Sequence, residues 1–400
     1  MKRLISKKSL FILLLIALAG VSRAEVINGN CGAESGAANV KWSLNTEKGV
    51  LTLTGTGAMK DDFYQQKAPW YDDISKIKTV EVGEGITSIG SWAFKNCYEM
   101  TSISLPSTLK KIGTEAFRYC GSLMLSELPA SVNEVGQYAF SYCGITAFTI
   151  PSALKKLPEG MFYNCGSLAK VTFHSKVTEI GYWAFFGCSS LEEVELPNKL
   201  ETIGYNAFYE SGLTSITIPN SVTNLDAGSL RDCSKLTKVV LGTGIEKIQY
   251  ETFMDDRALV EVVIPNSVKR IGDRAFAHCT VLPSLHLPAS LQFIGEESFA
   301  GCTGLTELTC EALEPPYGQY HVFEGIDNTI PVYVPRASIT KYSTDNYWKY
   351  FSNYQSIEGE PTAVEATKRN EASVTKQLRE GQIIIRRGGR TYTVHGQEVR

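Results

Sequence analysis

The chain has 400 residues, of which 43% are hydrophobic and 20% are charged, and its formal net charge is -3 at pH 7. This composition is typical of a folded protein and excludes a chain that is disordered along most of its length. The small negative charge provides no global attraction for nucleic acid or for an anionic membrane surface. We therefore expect no nucleic-acid partner.

The first 24 residues have the pattern of a secretory signal peptide. Basic residues at positions 2, 3, 7 and 8 precede an apolar stretch over residues 10–19, and Ser22-Arg23-Ala24 places small residues at a cleavage site. The apolar stretch is too short to span a bilayer, and no later stretch is long and apolar enough to do so. We predict removal of residues 1–24 and an exported chain without a transmembrane segment; a retained anchor helix is the alternative.

Residues 25–75 predict an N-terminal β cap. Within them, "WSLNTEKGVLTLTGTGAM" indicates two strands around a turn, and "APWY" closes the segment. The cap leads into a segment with a different pattern, which begins at residue 76.

One unit repeats every 22 or 23 residues between residues 76 and 335. A phenylalanine in the unit's second half marks the register, with a leucine in its place once; the column contains Phe94, Phe117, Phe140, Phe162, Phe185, Phe208, Leu230, Phe253, Phe276 and Phe299. A weaker eleventh unit brings Phe323 one residue late. The period lies in the range of leucine-rich repeats.

Each unit predicts one coil of a solenoid. An "LxxLxLP" segment such as "LTSITIP" predicts a short parallel strand that the proline ends, and "xxIG" adds a second apolar anchor. The following "GxxAFxxC" suits a single helical turn. No coil buries its own apolar edge, so the core closes only when coils stack. We predict a leucine-rich repeat solenoid of short parallel β-strands with helical turns, with ten to eleven coils and capped at both ends.

The repeated glycine after the isoleucine indicates tight packing between coils. Pro158 occupies the same column in one coil, and proline cannot adopt a positive φ. Tight space, rather than left-handed backbone, is therefore the predicted reason for glycine.

Eight of the ten cysteines occupy one column of the repeat. They are Cys97, Cys120, Cys143, Cys165, Cys188, Cys233, Cys279 and Cys302, with Ser211 and Asp256 in the same column. A catalytic thiol is single and needs a unique partner, whereas this one is copied along the repeat. We predict a buried structural ladder in which each thiol donates to a backbone carbonyl that the coil leaves open. Cys31 and Cys310 lie outside the column, and we expect them to be free.

The C-terminal part divides into three segments. "IPVYVP" at residues 330–335 predicts the last strand, and the aromatic residues 336–358 predict a cap over the final coil. Residues 359–376 have almost no large apolar side chains and predict a flexible linker. Residues 377–400 predict a hairpin of two strands about Gly388-Gly389.

The sequence contains no motif that indicates catalysis, a cofactor or a metal. The five histidines are scattered, without ligands at metal-binding spacing. Asp256 in the cysteine column, with Asp255 beside it, is the one pair that an enzyme hypothesis could use. We predict a protein that is not an enzyme.

Aromatic residues outside the core columns predict a binding patch on the turn side of consecutive coils. They are Tyr138, Tyr142, Tyr163, Tyr182, Trp183, Phe186, Tyr205 and Tyr209. Tyrosine and tryptophan anchor interfaces at low entropy cost. Two alternatives remain open: these rings stack on each other and seal the coil edges, or they hold a sugar. Serine, threonine and charged residues on the concave strand face are typical of a solvated surface.

The unit "LxxLxLPxxLxxIGxxAFxxC" resembles the BspA-like leucine-rich repeat proteins of anaerobic bacteria over roughly residues 77–335. The resemblance implies a secreted or cell-surface binding protein, some members of the family adhering to host matrix proteins or to other bacteria. The segment from Leu378 resembles C-terminal sorting domains of Bacteroidetes. We predict an adhesin-like scaffold that binds an extracellular protein of a host or a neighbouring cell; the alternative is a glycan-binding module for nutrient capture.

Overall fold

The computed structural model describes residues 25–33, 39–64 and 67–357. It also describes the backbone of four strands, Thr375–Arg379, Gln382–Arg387, Arg390–Thr393 and Glu398–Val399. The predicted signal peptide and all but the last two residues of the predicted linker lie outside the described residues.

The chain winds into a stack of coils whose first strands pair in parallel from one coil to the next. Neighbouring coils pair residues 23 positions apart, as Lys238 with Glu261 and Val239 with Val262. The strands of this column are Val50–Gly55, Thr79–Val82, Ser102–Ser104, Ala147–Thr149, Lys170–Thr172, Ser215–Thr217, Lys238–Val240, Glu261–Val263, Ser284–Leu287, Glu307–Cys310, Pro331–Val334 and Asn353–Ser356. The fold is therefore the predicted parallel-strand solenoid, with about twelve coils.

A second column of short strands follows the first within each coil. Its apolar residues, such as Ile112 and Ile203, are fully buried. The strands are Gly57–Ala58, Ile86–Ile89, Lys111–Ile112, Glu134–Val135, Lys156–Leu157, Glu179–Ile180, Thr202–Ile203, Asn224–Leu225, Lys247–Ile248, Arg270–Ile271 and Phe293–Ile294. A Cβ atom on Gly113 would lie 2.3 Å from the backbone nitrogen of Ser91 in the preceding coil. Tight space at the glycine column is thus confirmed.

The predicted helical turn at "GxxAFxxC" is wrong. In the first coil the N–H of Cys97 donates to the carbonyl of Phe94 in its own turn, at 3.1 Å. The N–H of Phe94 donates instead to the carbonyl of Ala116 in the next coil, at 2.8 Å. Trp92 and Asn96 have φ values of 58° and 67°. Left-handed residues and inter-coil bonds from alternate N–H groups are incompatible with an α-helix.

The phenylalanine column forms the centre of the core. Successive rings stack, with centroids 5.4 Å apart for Phe94 and Phe117 and 5.0 Å apart for Phe253 and Phe276. Leu230 interrupts the column. Trp70 stacks on Phe94 at 5.5 Å, and Trp348 contacts Phe323 edge-on at 5.1 Å. Buried tryptophans therefore lie at both ends of the column.

The N-terminal segment contributes three antiparallel strands rather than two. Val26–Asn30 pairs with Val40–Asn45, which pairs with Val50–Gly55 across a turn. The third strand then pairs in parallel with Thr79–Val82. A 3₁₀-helix at Tyr71–Lys76 joins this segment to the coils.

The C-terminal segment adds a strand that the sequence did not indicate. A 3₁₀-helix at Arg336–Ser338, an α-helix at Ile339–Thr344 and a 3₁₀-helix at Trp348–Tyr350 follow the strand Pro331–Val334. Asn353–Ser356 then pairs with that strand in parallel. The prediction that residues 330–335 form the last strand is therefore wrong, because polar "NYQS" lacks strand-like alternation but its backbone completes the sheet edge.

The four strands described after residue 374 pair with one another in an antiparallel sheet of their own. Gln382–Arg387 and Arg390–Thr393 are the two strands expected about residues 388–389, and they pair with each other. Thr375–Arg379 and Glu398–Val399 add a strand on either side, giving four.

Across the parts of the chain that the structure describes, no helix has the length and apolar character needed to cross a membrane.

Candidate functional site

Five rings form a continuous stack on the turn side of the coils. We call this set, Tyr119, Tyr142, Tyr163, Phe186 and Tyr209, the outer aromatic ladder. Ring centroids are 4.6 Å apart for Tyr119 and Tyr142, 4.5 Å for Tyr163 and Phe186, and 4.8 Å for Phe186 and Tyr209. Tyr142 and Tyr163 are joined by a tilted contact at 5.7 Å.

Sequence reasoning found four of these rings and missed Tyr119. The sequence feature that could have identified Tyr119 is its position immediately before Cys120, which matches the position of Tyr142 before Cys143. The structure therefore extends the predicted patch by one coil toward the N-terminus.

An arginine lies at each end of the outer aromatic ladder. The guanidinium of Arg118 lies 4.9 Å from the ring centroid of Tyr119, and that of Arg231 lies 5.5 Å from the ring of Tyr209. Each arginine is also paired with a carboxylate, Arg118 with Glu115 at 3.2 Å and Arg231 with Glu251 at 2.5 Å. Cation–π contacts thus end the stack on both sides, and the sequence analysis had not singled out either arginine.

The remaining four predicted residues, Tyr138, Tyr182, Trp183 and Tyr205, lie nearer the start of the turn segment. Trp183 and Tyr205 meet edge to face at 5.8 Å. The hydroxyl of Tyr138 donates to Glu159 at 2.8 Å, and burial together with this carboxylate raises the pKa of Tyr138. Tyr182 is 50% exposed. The eight predicted residues therefore lie in two rows, which meet where the ring of Tyr138 contacts that of Tyr163 edge to face at 5.8 Å.

Backbone conformation orients two of these rings. Tyr138 and Trp183 have φ values of 55° and 53°, in the left-handed region. A Cβ on Gly160, in the coil after Tyr138, would lie 2.3 Å from the ring of Tyr138. The tyrosine ring thus lies against the following coil, and glycine there makes room for it.

In the later coils charged residues occupy most positions of the same turn side, although Tyr250, which is 49% exposed, stands where earlier coils have Tyr182 and Tyr205. We call Arg231, Glu251, Asp255, Arg274, His278 and Glu297 the charged edge. Arg274 pairs with Glu297 at 2.6 Å and lies 3.9 Å from Glu251. Asp255 contacts His278 at 3.2 Å. Ion pairs therefore link successive coils here.

The cysteine column lies in the core, next to the phenylalanine column. Seven thiols donate to the carbonyl of the phenylalanine one coil before, at 3.0 to 3.2 Å, the donors being Cys120, Cys143, Cys165, Cys188, Cys233, Cys279 and Cys302. The same carbonyl also accepts an N–H of its own coil, as Phe94 does from Cys97. The expectation that it is otherwise open is wrong.

Burial makes these thiols poor nucleophiles. It raises the pKa of Cys97 to about 12 and that of Cys188 well above its ordinary value. The thiolate is the reactive form, so at neutral pH Cys97 and Cys188 stay protonated. All ten cysteines are free, Cys31 and Cys310 among them.

Asp255 and Asp256 lie in different environments. Asp256 is fully buried and its Oδ1 accepts the N–H of Cys233 at 2.8 Å, whereas Oδ2 has no partner. Burial raises the pKa of Asp256 well above 3.8. Asp255 faces outward, where it contacts His278 and Arg257. The two carboxyls are thus not a pair that faces one reacting group.

The described residues contain no group of three or more His, Cys, Asp and Glu side chains that could hold a metal ion. On the outer face of the first strand column, side chains such as Lys170, Glu261 and Ser284 are exposed. The strand column is interrupted at residues 191–197, where Glu193 and Glu195 are also exposed.

Comparisons with known proteins agree with this architecture. A family described as the BspA type leucine-rich repeat region (6 copies) matches residues 68–169, 155–282 and 246–365. A leucine-rich repeat protein from Bacteroides ovatus is similar in structure, with a TM-score of 0.54 and 24% identity over 80% of this chain and 98% of that one.

Two further solved structures are similar at 20% identity and a TM-score of 0.43. One is a leucine-rich cell surface protein from Faecalibacterium prausnitzii, covering 83% of this chain and 96% of that one. The other is the pneumococcal vaccine antigen PcpA, covering 84% and 100%. No curated protein matches the sequence.

Proposed function

Because the chain belongs to the BspA type leucine-rich repeat family, we propose that it is an exported scaffold that binds an extracellular protein without catalysing a reaction. The partner is a protein of the host matrix or of a neighbouring bacterial surface. The signal-peptide pattern of residues 1–24 supports export, and residues 377–400 are proposed to act as a sorting tail.

The observation that carries this proposal is the change of side chains along one edge. Rings stack through five coils from Tyr119 to Tyr209, and ion pairs take over from Arg231 onward. The backbone follows the same path in both stretches, with left-handed residues at matching places such as Trp183 and Arg274. The fold therefore does not require rings at this edge, and a function explains them better than coil sealing does.

The composition of the edge favours a protein partner. Tyrosine, tryptophan and arginine are the residues that most often dominate binding energy in protein interfaces. The ladder ends in Arg118 and Arg231, and Tyr182, in the second row of the turn side, is half exposed. Three of the four ring pairs of the ladder stack face to face, and the fourth, Tyr142 with Tyr163, is tilted, so most ring faces contact a neighbouring ring. A sugar needs a free ring face, which makes the ladder a poor glycan site.

The test is surface plasmon resonance of the full chain against a panel of purified extracellular-matrix proteins. The variant combines Tyr182→Ala, Tyr205→Ala and Tyr209→Ala. We expect the wild-type chain to bind at least one of these proteins and the variant to bind it at least tenfold more weakly, since a few buried aromatic anchors dominate an interface.

The matched control is a variant of the charged edge, Arg274→Ala with Glu297→Ala. It changes the same edge of the solenoid but leaves every ring in place, and its binding should equal that of the wild type. Equal loss in both variants, or undiminished binding in the tyrosine variant with an unchanged thermal unfolding temperature, would contradict the proposed site.

A further inference from the structure

A second candidate binding site lies at the C-terminal end of the solenoid. Residues 319–325 of the last turn segment line an open cleft of about 750 Å³ together with Asn346, Tyr347, Lys349 and Tyr350 of the C-terminal segment. This volume is in the range of small-molecule sites. The cleft shares no residue with the outer aromatic ladder or the charged edge.

Tyrosines form the walls of this cleft. Tyr320 is 74% exposed, and its ring centroid lies 6.5 Å from that of His321. Tyr350 is 38% exposed; its hydroxyl donates to the carbonyl of Ile326 at 2.5 Å, and its ring lies 6.3 Å from Phe323. The ring of Tyr350 is thus held in place on one wall, and the largely exposed ring of Tyr320 forms the other wall.

A third ring in the lining, that of Tyr347, is also held in place. Tyr347 meets Tyr317 edge to face at 5.5 Å, and its N–H donates to the carboxylate of Asp345 at 2.9 Å. Such contacts fix the ring before any ligand arrives. A site that is ordered in advance loses less conformational entropy on binding.

Polar groups with unused hydrogen-bonding capacity line the same cleft. The side-chain amides of Gln319 and Asn346 and the ammonium group of Lys349 have no side-chain hydrogen-bond partner within residues 67–357. Amides both donate and accept, and an ammonium group donates. Glu324 is already engaged by His321, at 2.7 Å.

We propose that this cleft binds a neutral oligosaccharide. A sugar ring presents an apolar C–H face, which packs on an exposed tyrosine ring, and hydroxyls at its rim, which suit free amides and an ammonium group. Exposed aromatic rings also attract cations, but the Lys349 ammonium group lies in the lining, and the carboxylate of Glu324 in the same lining contacts His321. The site is independent of the proposed protein-binding edge.

Saturation-transfer NMR with the full chain tests this proposal. The probes are maltotriose, cellotriose, chitotriose and N-acetyllactosamine, with sialyllactose as an acidic sugar and choline as a cation. We expect at least one neutral sugar to receive saturation and to bind with a dissociation constant on the order of 1 mM, a free energy of about -4 kcal/mol. Tyr320→Ala should weaken that binding at least tenfold.

Tyr98→Ala is the matched control, because Tyr98 is 55% exposed in the first coil and distant in sequence from the cleft. It should leave sugar binding unchanged. The proposal fails if no neutral sugar receives saturation at about 10 mM, if only sialyllactose or choline does, or if Tyr320→Ala binds as the wild type does. None of these outcomes bears on the proposed protein-binding edge, and the matrix-protein binding of the edge variant does not bear on the proposed sugar site in the cleft.

Discussion

The outer aromatic ladder and the charged edge occupy the same edge of the solenoid but are built from different side chains. From Tyr119 to Tyr209 the coils are joined at this edge by stacked rings, and from Arg231 to Glu297 they are joined by ion pairs. Inside both stretches the phenylalanine and cysteine columns continue. The core columns therefore keep similar side chains from coil to coil, whereas the side chains at the edge vary.

Comparing the two sets of side chains shows how much stabilisation the fold needs at this edge. Exposed ion pairs contribute about 0 to 1 kcal/mol each, so the charged edge shows that the coils stack without large stabilisation at this position. Ring pairs contribute about 0.5 to 1.5 kcal/mol beyond their burial. The rings stabilise more than the repeat requires, which is why we assign them to binding.

The largest effect is expected in the core, where the two stretches are alike. Phe185→Ala, inside the ladder stretch, and Phe276→Ala, inside the charged stretch, each remove a fully buried ring stacked on both neighbours. Each should reduce the free energy of unfolding by about 3 to 5 kcal/mol. Urea denaturation followed by circular dichroism measures this. If one variant loses less than half the free energy of unfolding that the other loses, the phenylalanine column does not stabilise the two stretches equally.

The coils of the charged edge contain a buried carboxyl with a pH-dependent effect on stability. Asp256 has a folded-state pKa well above 3.8 because burial disfavours its charged form. Its contribution to stability is complete below about pH 4 and is lost as the pH rises toward the folded-state pKa. Asp256→Asn keeps an acceptor for the Cys233 N–H and does not titrate. Relative to wild type, the variant should gain about 1.4 kcal/mol per pH unit above pH 4.

Thermal unfolding of Asp256→Asn and wild type at several pH values between about 4.5 and 6.5 measures this difference. Asp255→Asn is the control, because Asp255 faces outward and pairs with His278. A constant difference between Asp256→Asn and wild type across the range would show that the Asp256 carboxyl does not titrate differently in the folded state.

The smallest effects are expected at the edge itself. Phe186→Ala removes a ring between Tyr163 and Tyr209 and should cost about 1 to 2 kcal/mol. Arg274→Ala removes an exposed pair and should cost less than about 1 kcal/mol, falling toward zero at 1 M salt. Unfolding of both variants at low and high salt distinguishes them. A salt-dependent loss in Phe186→Ala, or a salt-independent one in Arg274→Ala, would remove the distinction between the two edges.

Much of the core was predictable from the sequence. A 23-residue spacing with one phenylalanine, one isoleucine and one cysteine per unit leaves a single way to bury all three, which is to stack the coils. Pro158 in the glycine column was sufficient to predict tight space there. These inferences succeeded because burial imposes the same requirement on every coil.

The turn segment was not predictable in the same way. Three-residue spacing between Phe94 and Cys97 fits an isolated helical turn, but the N–H of Phe94 pairs with the next coil instead. Such a bond depends on a neighbour 22 residues away, which local spacing does not reveal. For the same reason the polar strand Asn353–Ser356 was missed, since backbone pairing with Pro331–Val334 creates it.

Residue types and their period were enough to predict the repeat, its core columns and most of the rings outside the core, because hydrophobic burial depends on both. The division of those rings into two rows, the arginines at the ends of the ladder and the cleft that Tyr320 and Tyr350 share became visible in the folded chain alone. Those relations join residues from different coils or from the last coil and the C-terminal segment. Their contacts depend on the angle and spacing at which coils stack, which no single unit of the sequence contains.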